Sequence, residues 1–377
     1  MNYLFVLGRD PELSLLELEC YFEARNIDYK IIEYSNEVAL VSLPKLDFSR
    51  LIKEIGGTIK IAEIFSDSGN LSEIEHSLNN MKIDIDKRLD YAISSYNSSL
   101  QDFIREILKE RFRKEKIKVF YKKPARKTDR FLTPSEIINK KLIENGLDIV
   151  VYKNNIARTI VIFNPFEYQE RDLKRPKKDF LKTTSLRIAR ILVNLSYSKE
   201  DSTLLDSFCG TGTILQEALL NNINVIGVDI DRKSVDHSNE NLKWLKSTYN
   251  TSKKFSIYPG DSTSMSQIIK TKVDAIVTEP YMGPFLKNIP SRQESEFIAS
   301  KLRPIYTGFL IEAHKLLKKN GKLVIIMPKF GDLLMDPLRL TDLFNIYRPR
   351  ISVKLPIPYI LKNSIIERYI YVLEPKQ

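Results

Sequence analysis

The segment Asp206-Ser207-Phe208-Cys209-Gly210-Thr211-Gly212-Thr213 decides the fold of this chain. Its first residue, Asp206, is the last residue of a predicted apolar strand, Thr203 to Asp206. A predicted helix, Ile214 to Asn221, follows the segment. Gly210 and Gly212 let the backbone turn sharply and approach a ligand closely, and the following helix N-terminus favours negative charge. The segment therefore predicts a ligand-binding strand-turn-helix element.

Strands and helices alternate on both sides of this turn. Predicted strands run from Thr203 to Asp206, Val225 to Val228, Phe255 to Tyr258, Ala275 to Thr278 and Lys322 to Met327, with a closing pair near Ile351 to Val353 and Arg368 to Leu373. Helices of useful length separate the first five strands, which is typical of parallel βαβ units. The C-terminal half is therefore predicted to be a Rossmann-like α/β domain.

The turn lacks the dinucleotide fingerprint, because Leu215 stands where a third glycine is needed. Asp206, Asp229 and Asp261 instead follow three consecutive predicted strands. A carboxylate at Asp206 suits the cationic amino acid portion of S-adenosylmethionine, Asp229 can accept both ribose hydroxyls, and Asp261 can accept the adenine amine. The predicted cofactor-binding residues here are Asp206, Phe208, Gly210, Gly212, Thr213, Asp229, Ile230, Asp261 and Ser262.

The fourth strand ends at Thr278 and breaks into Glu279-Pro280-Tyr281. This loop is expected at the carboxyl ends of the strands, beside the cofactor. Methyl transfer to an exocyclic amine needs acceptors for the amine hydrogens and an aromatic face that holds the base for in-line attack. A polar side chain, carbonyls stiffened by proline and Tyr281 meet those needs, so Thr278, Glu279, Pro280 and Tyr281 are the predicted catalytic residues.

The first 65 residues predict the order β-α-β-β-α-β of a ferredoxin-like unit. A second unit follows to about residue 165, with a helix predicted from Pro134 to Asn145 behind the capping box at Thr133 and Glu136, and with Gly146 as its stop. The charged stretch 170–182, which contains Pro176, is the natural linker.

Positive charge concentrates in the second unit. Between Arg105 and Arg130 there are twelve Lys or Arg and four Asp or Glu, a net charge of +8 by subtraction beside a chain total of +11. Aromatic residues interleave with the cations, which suits phosphate contact combined with stacking. The predicted RNA-binding residues are Lys122, Lys123, Arg126, Lys127 and Arg130.

Composition sets outer limits. A chain of 377 residues suits two or three domains. Cys20 and Cys209 are far apart, so neither a disulfide framework nor a metal site is predicted. Every apolar run is shorter than the roughly 18 residues that span a bilayer, and the N-terminus soon meets Arg9, Asp10 and Glu12. We expect a cytoplasmic protein with no membrane partner.

The segment from Asp206 to Pro284 resembles the amino-methyltransferases of the Rossmann fold, whose loop reads Asp, Asn or Ser, then Pro-Pro, then Tyr or Phe. With the two N-terminal units and the opening Phe5-Val6-Leu7-Gly8-Arg9-Asp10, nearly the whole chain resembles THUMP-domain tRNA guanine-N2 methyltransferases, including the archaeal guanosine-10 type. The resemblance implies S-adenosylmethionine as cofactor, tRNA as partner and a guanine N2 amine as the methyl acceptor.

It also implies four segments: a ferredoxin-like domain at 1–68, a THUMP-like α+β RNA-binding domain at 69–165, a linker at 166–182 and a class I methyltransferase domain at 183–377. The segment from Leu181 to Leu186 resembles the cofactor-lid motif of that family, which adds Thr183 to the expected cofactor contacts. Thr278 departs from the usual Asp or Asn, and Glu279 replaces the first proline. Either Glu279 takes over the acceptor role or the target differs.

Two other functions stay open at the level of sequence. The loop chemistry is shared with DNA amino-methyltransferases that act on adenine N6 or cytosine N4. A non-catalytic tRNA-binding protein that retains the fold is the other alternative, because of Thr278. A small activating protein subunit is a candidate partner. The oligomeric state, the modified nucleotide and the number of methyl groups do not follow from the sequence.

Overall fold

The computed structural model describes residues 1–83, 87–178, 184–360 and 364–376. The chain divides into two compact units. The first contains Met1–Ser14, Ile27–Lys53 and Gly57–Arg171. The second contains Leu15–Asn26, Glu54–Gly56 and Asp172–Gln377.

The first unit is built on one sheet, which in the described part of the chain has eight strands. They are β1 (Asn2–Leu7), β2 (Lys30–Tyr34), β3 (Val38–Ser42), β4 (Thr58–Ser66), β5 (Arg88–Tyr96), β6 (Lys118–Tyr121), β7 (Gly146–Tyr152) and β8 (Asn155–Ile162), in the spatial order β2-β3-β1-β4-β8-β7-β5-β6. The helices from this half of the chain are α1 (Pro11–Ala24), α2 (Phe48–Glu54), α3 (Leu71–Asn80), α4 (Gln101–Lys114), α5 (Pro134–Asn139) and α6 (Pro165–Lys174). The predicted order β-α-β-β-α-β is confirmed.

Both predicted N-terminal segments contribute to this sheet. Strand β4 pairs antiparallel with β8, with Ile61 opposite Val161. Leu4 and Tyr152 belong to the same buried hydrophobic cluster. The boundary proposed near residue 68 therefore falls within one continuous sheet.

The helix predicted from Pro134 to Asn145 is shorter than expected. Its capping box is present, but α5 ends at Asn139 and Lys141 takes a positive φ of 52°. Gly146 begins β7 opposite Asp90, where a Cβ would lie 2.6 Å from the Asp90 carbonyl oxygen. The glycine permits close strand contact and does not terminate a helix.

The second unit carries a mainly parallel sheet. Its strands are β9 (Thr203–Asp206), β10 (Asn224–Asp229), β11 (Phe255–Pro259), β12 (Val273–Thr278), β13 (Leu317–Phe330), β14 (Leu333–Leu334), β15 (Phe344–Ile346), β16 (Ile357–Tyr359) and β17 (Glu367–Pro375). The spatial order is β11-β10-β9-β12-β13-β17-β15; the strands from β11 to β13 are parallel, and β17 is antiparallel to β13. The helices are α7 (Leu186–Leu195), α8 (Thr213–Leu220), α9 (Arg232–Tyr249), α10 (Arg292–Leu316) and α11 (Pro337–Leu340), and Ser262–Gln267 forms a 3₁₀ helix. The predicted Rossmann-like domain is confirmed.

Hydrophobic packing fixes the strand ends that carry the site. Leu205 of β9 and Ile276 of β12 lie in one buried cluster with Tyr306 and Phe309 of α10. Each fully buried side chain of this size contributes on the order of 1.5–3 kcal/mol. The carboxyl ends of β9 and β12 are therefore held side by side on a rigid layer.

Two predicted segments differ from the structure. Ile351 to Val353 is not a strand, because the Ile351 amide donates to the Glu19 carboxylate at 2.9 Å instead of to the sheet. The nearby strands that pair with β17 are β15, with Ile346 opposite Leu373, and β16, with Ile357 opposite Ile370. The stretch expected as a linker at 166–182 begins as helix α6, which starts at Pro165 and extends to Lys174.

Within the described residues, no helix combines the length and the apolar character needed to cross a membrane. The same residues contain no group of three or more His, Cys, Asp or Glu side chains arranged to hold a metal ion.

Candidate active site

The glycine turn after β9 has the geometry that its sequence predicts. Gly210 and Gly212 have φ values of 51° and 81°, in the left-handed region that favours glycine. A Cβ on Gly212 would lie 2.5 Å from the Ser238 Oγ, so a side chain does not fit there. A Cβ on Gly210 would meet nothing within 4 Å. The turn thus packs on one side and borders open space on the other.

Asp206 lies buried at the end of β9, with 1% of its surface exposed. Its Oδ1 accepts hydrogen bonds from the Thr278 Oγ1 at 2.7 Å and from the Phe208 amide at 3.2 Å. Burial raises the pKa of Asp206 to about 7, and the nearby Asp229 and Glu279 carboxylates add to the rise. A cation at this position would favour the charged form of Asp206.

Asp229 joins the next strand to the glycine turn. It ends β10, and its two carboxylate oxygens accept from the Gly210 amide at 2.8 Å and from the Asp231 amide at 2.9 Å. Asp261 follows β11, and its Oδ1 accepts from the Thr263 amide and hydroxyl, each at 2.8 Å. These acids therefore follow three neighbouring strands, as predicted, and Asp261 also caps the 3₁₀ helix.

The other predicted cofactor residues line the same edge of the sheet. Phe208 is half-buried and its ring lies 5.5 Å from that of Phe309. The Thr213 Oγ1 accepts from the Arg175 guanidinium at 3.2 Å. Ile230 is exposed and Ser262 is buried. Thr183 lies outside the described residues.

The loop after β12 contains the four predicted catalytic residues. Thr278 is fully buried and donates its hydroxyl proton to Asp206. Glu279 is the first residue beyond the strand; its Oε1 accepts from the Arg368 Nε at 3.1 Å and its Oε2 from the Thr184 hydroxyl at 2.5 Å. Pro280 is buried. The loop thus presents a carboxylate at Glu279 and not at the strand end.

Tyr281 is held by its backbone while its ring stays accessible. The carbonyl oxygen of Tyr281 accepts from the buried Tyr306 hydroxyl at 2.7 Å, and 53% of the Tyr281 surface is exposed. Gly283 follows with φ of 89°, and a Cβ there would lie 3.2 Å from the Ile298 Cγ2. Phe285, two residues further, is 88% exposed. The loop is therefore anchored at its base and displays aromatic rings at its surface.

Sequence reasoning missed three residues that support this site: Arg368, Tyr306 and Arg175. A signal for Arg368 was present, because a closing antiparallel strand begins at the edge where the parallel strands end. The positions of Tyr306 and Arg175 depend on tertiary packing and carried no local signal.

The predicted RNA-binding residues lie in the first unit and fall into two groups. Lys122 pairs with Asp90 at 2.8 Å, and Arg130 pairs with Glu37 at 3.3 Å. Lys123, Arg126 and Lys127 are exposed, and they make no ion pair with any part of the chain that the structure describes. These three cations form the part of the patch that is free to meet an anionic partner.

The chain is similar to known methyltransferases. Residues 175–335 match a family model described as RMKL-like, methyltransferase domain, and residues 93–240 match one described as DNA methylase. The tRNA (guanine(10)-N2)-dimethyltransferase of Methanothermobacter thermautotrophicus is 28% identical over 350 residues, which cover 88% of this chain and 90% of that protein. A protein of Methanothermococcus thermolithotrophicus, named "Probable tRNA (guanine(10)-N2)-dimethyltransferase", is 32% identical over 162 residues, which are 43% of this chain and 90% of that protein.

The chain belongs to the tRNA (guanine(10)-N2)-dimethyltransferase family. Its fold is also that of the crystal structure of TrmN from Thermus thermophilus, with a TM-score of 0.51 at 15% sequence identity and all of both chains covered. The cofactor of this family's methyltransferase domain is S-adenosylmethionine.

The residues at the strand ends fit that cofactor. Acidic oxygens follow β9, β10 and β11, which suits a cationic donor with ribose and adenine groups and opposes a pyrophosphate. The open side of Gly210 leaves room that a Cβ would fill. The buried Asp206 gains a partner when a positive charge lies beside it.

The raised pKa of Asp206 makes the stability of the folded chain depend on pH. Between about pH 4 and pH 7 the folded chain holds a proton that the unfolded chain, with its ordinary pKa of 3.8, releases. The free energy of unfolding therefore falls as pH rises through this window. Asp206→Asn removes this titrating group and with it the fall. We therefore expect the free energy of unfolding of the variant minus that of wild type to increase by about 2–4 kcal/mol between about pH 4.5 and about pH 8, measured by urea unfolding without cofactor.

The exposed Asp342 provides the control. Asp342→Asn should change with pH in parallel with the wild type. A constant difference between Asp206→Asn and the wild type across this range would contradict the assignment.

Proposed function

We propose that this chain transfers methyl groups from S-adenosylmethionine to the N2 amine of a guanine in tRNA. The observation that carries the proposal is the loop at Glu279 to Tyr281, which places a carboxylate and an exposed aromatic ring beside the acidic crevice at Asp206. The names of the family relatives further support guanine-10 as the target and two methyl groups as the product.

S-adenosylmethionine supplies an electrophilic methyl group on a sulfonium. We assign Asp206 to its cationic amino acid portion, Asp229 to the ribose hydroxyls and Asp261 to the adenine amine. Asp229 retains lone pairs for this role, because each carboxylate oxygen can accept more than the single backbone hydrogen bond seen here.

The guanine requires acceptors for its amine hydrogens and a face on which to stack. Because Thr278 is fully buried against Asp206, we assign the acceptor role to the Glu279 carboxylate and the Pro280 carbonyl. The exposed ring of Tyr281 holds the base. A proton leaving the methylated amine passes to the Glu279 carboxylate.

A DNA amino-methyltransferase is the second candidate, because residues 93–240 match a model described as DNA methylase. A non-catalytic tRNA-binding protein is the third. The small activating subunit and the cytoplasmic location stay predictions.

One experiment separates these candidates. Purified chain is incubated with methyl-labelled S-adenosylmethionine and either bulk tRNA or genomic DNA, and each is digested to nucleosides. We expect label in N2-methylguanosine and N2,N2-dimethylguanosine from tRNA, and none from a tRNA transcript whose guanine-10 is replaced by adenine. Label in DNA alone would support the second candidate, and tight tRNA binding without label the third.

Cofactor binding and methyl transfer should respond to different residues. Asp229→Ala should weaken S-adenosylmethionine binding in calorimetry by about 10-fold or more, because it removes an acceptor that supports both the cofactor and the Gly210 amide. Tyr281→Ala should leave that affinity within about 3-fold of wild type and reduce transfer by at least about 100-fold. Tyr281→Phe should retain most activity, since stacking needs only the ring. Equal losses of binding and transfer in both alanine variants would refute this division of roles.

Affinity for tRNA should depend on the three exposed cations of the first unit. Replacing Lys123, Arg126 and Lys127 with Ala should lower tRNA affinity and reduce the slope of log K against log salt by about 2–3, roughly one per lost phosphate contact. The matched control replaces Lys270, Lys272 and Lys319, exposed lysines near the amino ends of β12 and β13. An equal change of slope in both triple variants would mean that only net charge matters.

A further inference from the structure

The carboxylate of Glu279, in the loop after β12, accepts a hydrogen bond from Arg368 of β17. We infer that Arg368 is a positioning residue, which aims the Glu279 carboxylate at the amine of the acceptor base and keeps it ready to accept a proton. This inference rests on the proposed function, because it concerns the same methyl transfer.

The sheet topology brings Arg368 to the catalytic edge. Strand β17 is antiparallel to β13, and Arg368 lies opposite Pro328 near the carboxyl end of β13. Strand β13 in turn is parallel to β12, with Ile325 opposite Thr278. Neighbouring strands are about 4.8 Å apart, so the backbones that carry Arg368 and Glu279 are about 10 Å apart across β13. The two side chains and the hydrogen bond between them bridge this gap together.

Arg368 is itself fixed in place. Its Nη1 donates to the Ser364 Oγ at 3.0 Å and to the Ile366 carbonyl at 3.4 Å, while Nε donates to the Glu279 Oε1 at 3.1 Å. The side chains of Arg368 and Glu279 are only 18% and 20% exposed. A charge-assisted hydrogen bond that is largely withdrawn from solvent is stronger and more directional than a surface ion pair.

Glu279 keeps acceptor capacity in this arrangement. Each carboxylate oxygen accepts one hydrogen bond, Oε1 from Arg368 and Oε2 from Thr184. An ionised carboxylate offers about four lone-pair sites and no donor, so sites remain for the hydrogens of an amine. If Glu279 were protonated, it would present a donor to that amine and oppose the reaction.

The charges of the crevice explain why a cation is needed. Asp206 and Asp229 lie in the same crevice, and the charge of Glu279 contributes to the raised pKa of Asp206. Like charges at close range favour protonation of one member. The Arg368 guanidinium places a positive charge beside the Glu279 carboxylate, with its Nε 3.1 Å from Oε1.

The test compares Arg368→Met and Arg368→Lys with wild type on tRNA at saturating S-adenosylmethionine. We expect Arg368→Met to reduce kcat about 10–100-fold, with KM for tRNA and Kd for S-adenosylmethionine within about 3-fold of wild type. The acid limb of its kcat against pH should differ from that of wild type, because a positive charge beside the acceptor carboxylate has been removed. Arg368→Lys, which retains the charge, should restore the position of that limb and part of kcat.

Lys329→Met is the matched control, because it removes the nearby Lys329–Glu367 ion pair at 3.2 Å without touching the catalytic loop. It should leave kcat and its pH profile unchanged. In addition, Glu279→Gln combined with Arg368→Met should be no slower than the slower single variant, because both substitutions remove one interaction. Calorimetry with S-adenosylmethionine confirms that each variant is folded.

Failure of this inference differs from failure of the proposed function. If wild type forms N2-methylguanosine and Arg368→Met matches Lys329→Met in kcat and pH profile, the positioning role is overturned. The same holds if kcat and S-adenosylmethionine affinity fall together, because that pattern indicates a structural role. If wild type forms no N2-methylguanosine, the proposed function is overturned and the inference falls with it.

Discussion

The reversal of strand order between β9 and β12 is the constraint on which the site depends. From β9 the sheet continues to β10 and β11 on one side and to β12 and β13 on the other. Loops at such a reversal point diverge and leave a crevice at the carboxyl ends of the strands. The hydrogen bond from Thr278 to Asp206 ties the two sides together at the base of this crevice. The cofactor turn and the catalytic loop therefore share one buried contact.

This contact also explains how the chain accommodates an unusual loop. The amino-methyltransferase loop that this sequence resembles begins with Asp, Asn or Ser. Here the residue at that position, Thr278, is buried and donates its hydroxyl hydrogen to Asp206. The carboxylate moves one residue along, to Glu279, where the chain has left the sheet and a side chain can face the crevice. We therefore propose Glu279 as the acceptor.

Local rules made the core of the site predictable from sequence. The glycine turn, Asp206 and Asp229 could be placed because a strand, a tight turn and a helix start each have short-range signals, and parallel strands bring their carboxyl ends to one edge. Arg368 could not be placed with the same certainty, because its partner depends on β13 lying between β12 and β17. The strand predicted from Ile351 to Val353 was wrong for a similar reason, because its structure depends on a residue distant in sequence. Its apolar alternation suits a strand, but the distant Glu19 carboxylate accepts from the backbone amides of Arg350 and Ile351.

The acidity of the crevice links stability to function. Burying Asp206 beside Asp229 and Glu279 costs free energy in the folded chain, which appears as the pKa of about 7 at Asp206. A sulfonium or ammonium group placed in the crevice would offset that cost, which supports our assignment of the crevice to the cofactor. The Arg368 guanidinium donates a hydrogen bond to Glu279, so its positive charge compensates the Glu279 carboxylate and not Asp206. The crevice therefore contains two kinds of carboxylate. Glu279 is paired with Arg368 in the structure and is suited to receive a proton, whereas Asp206 and Asp229 are suited to a cationic ligand.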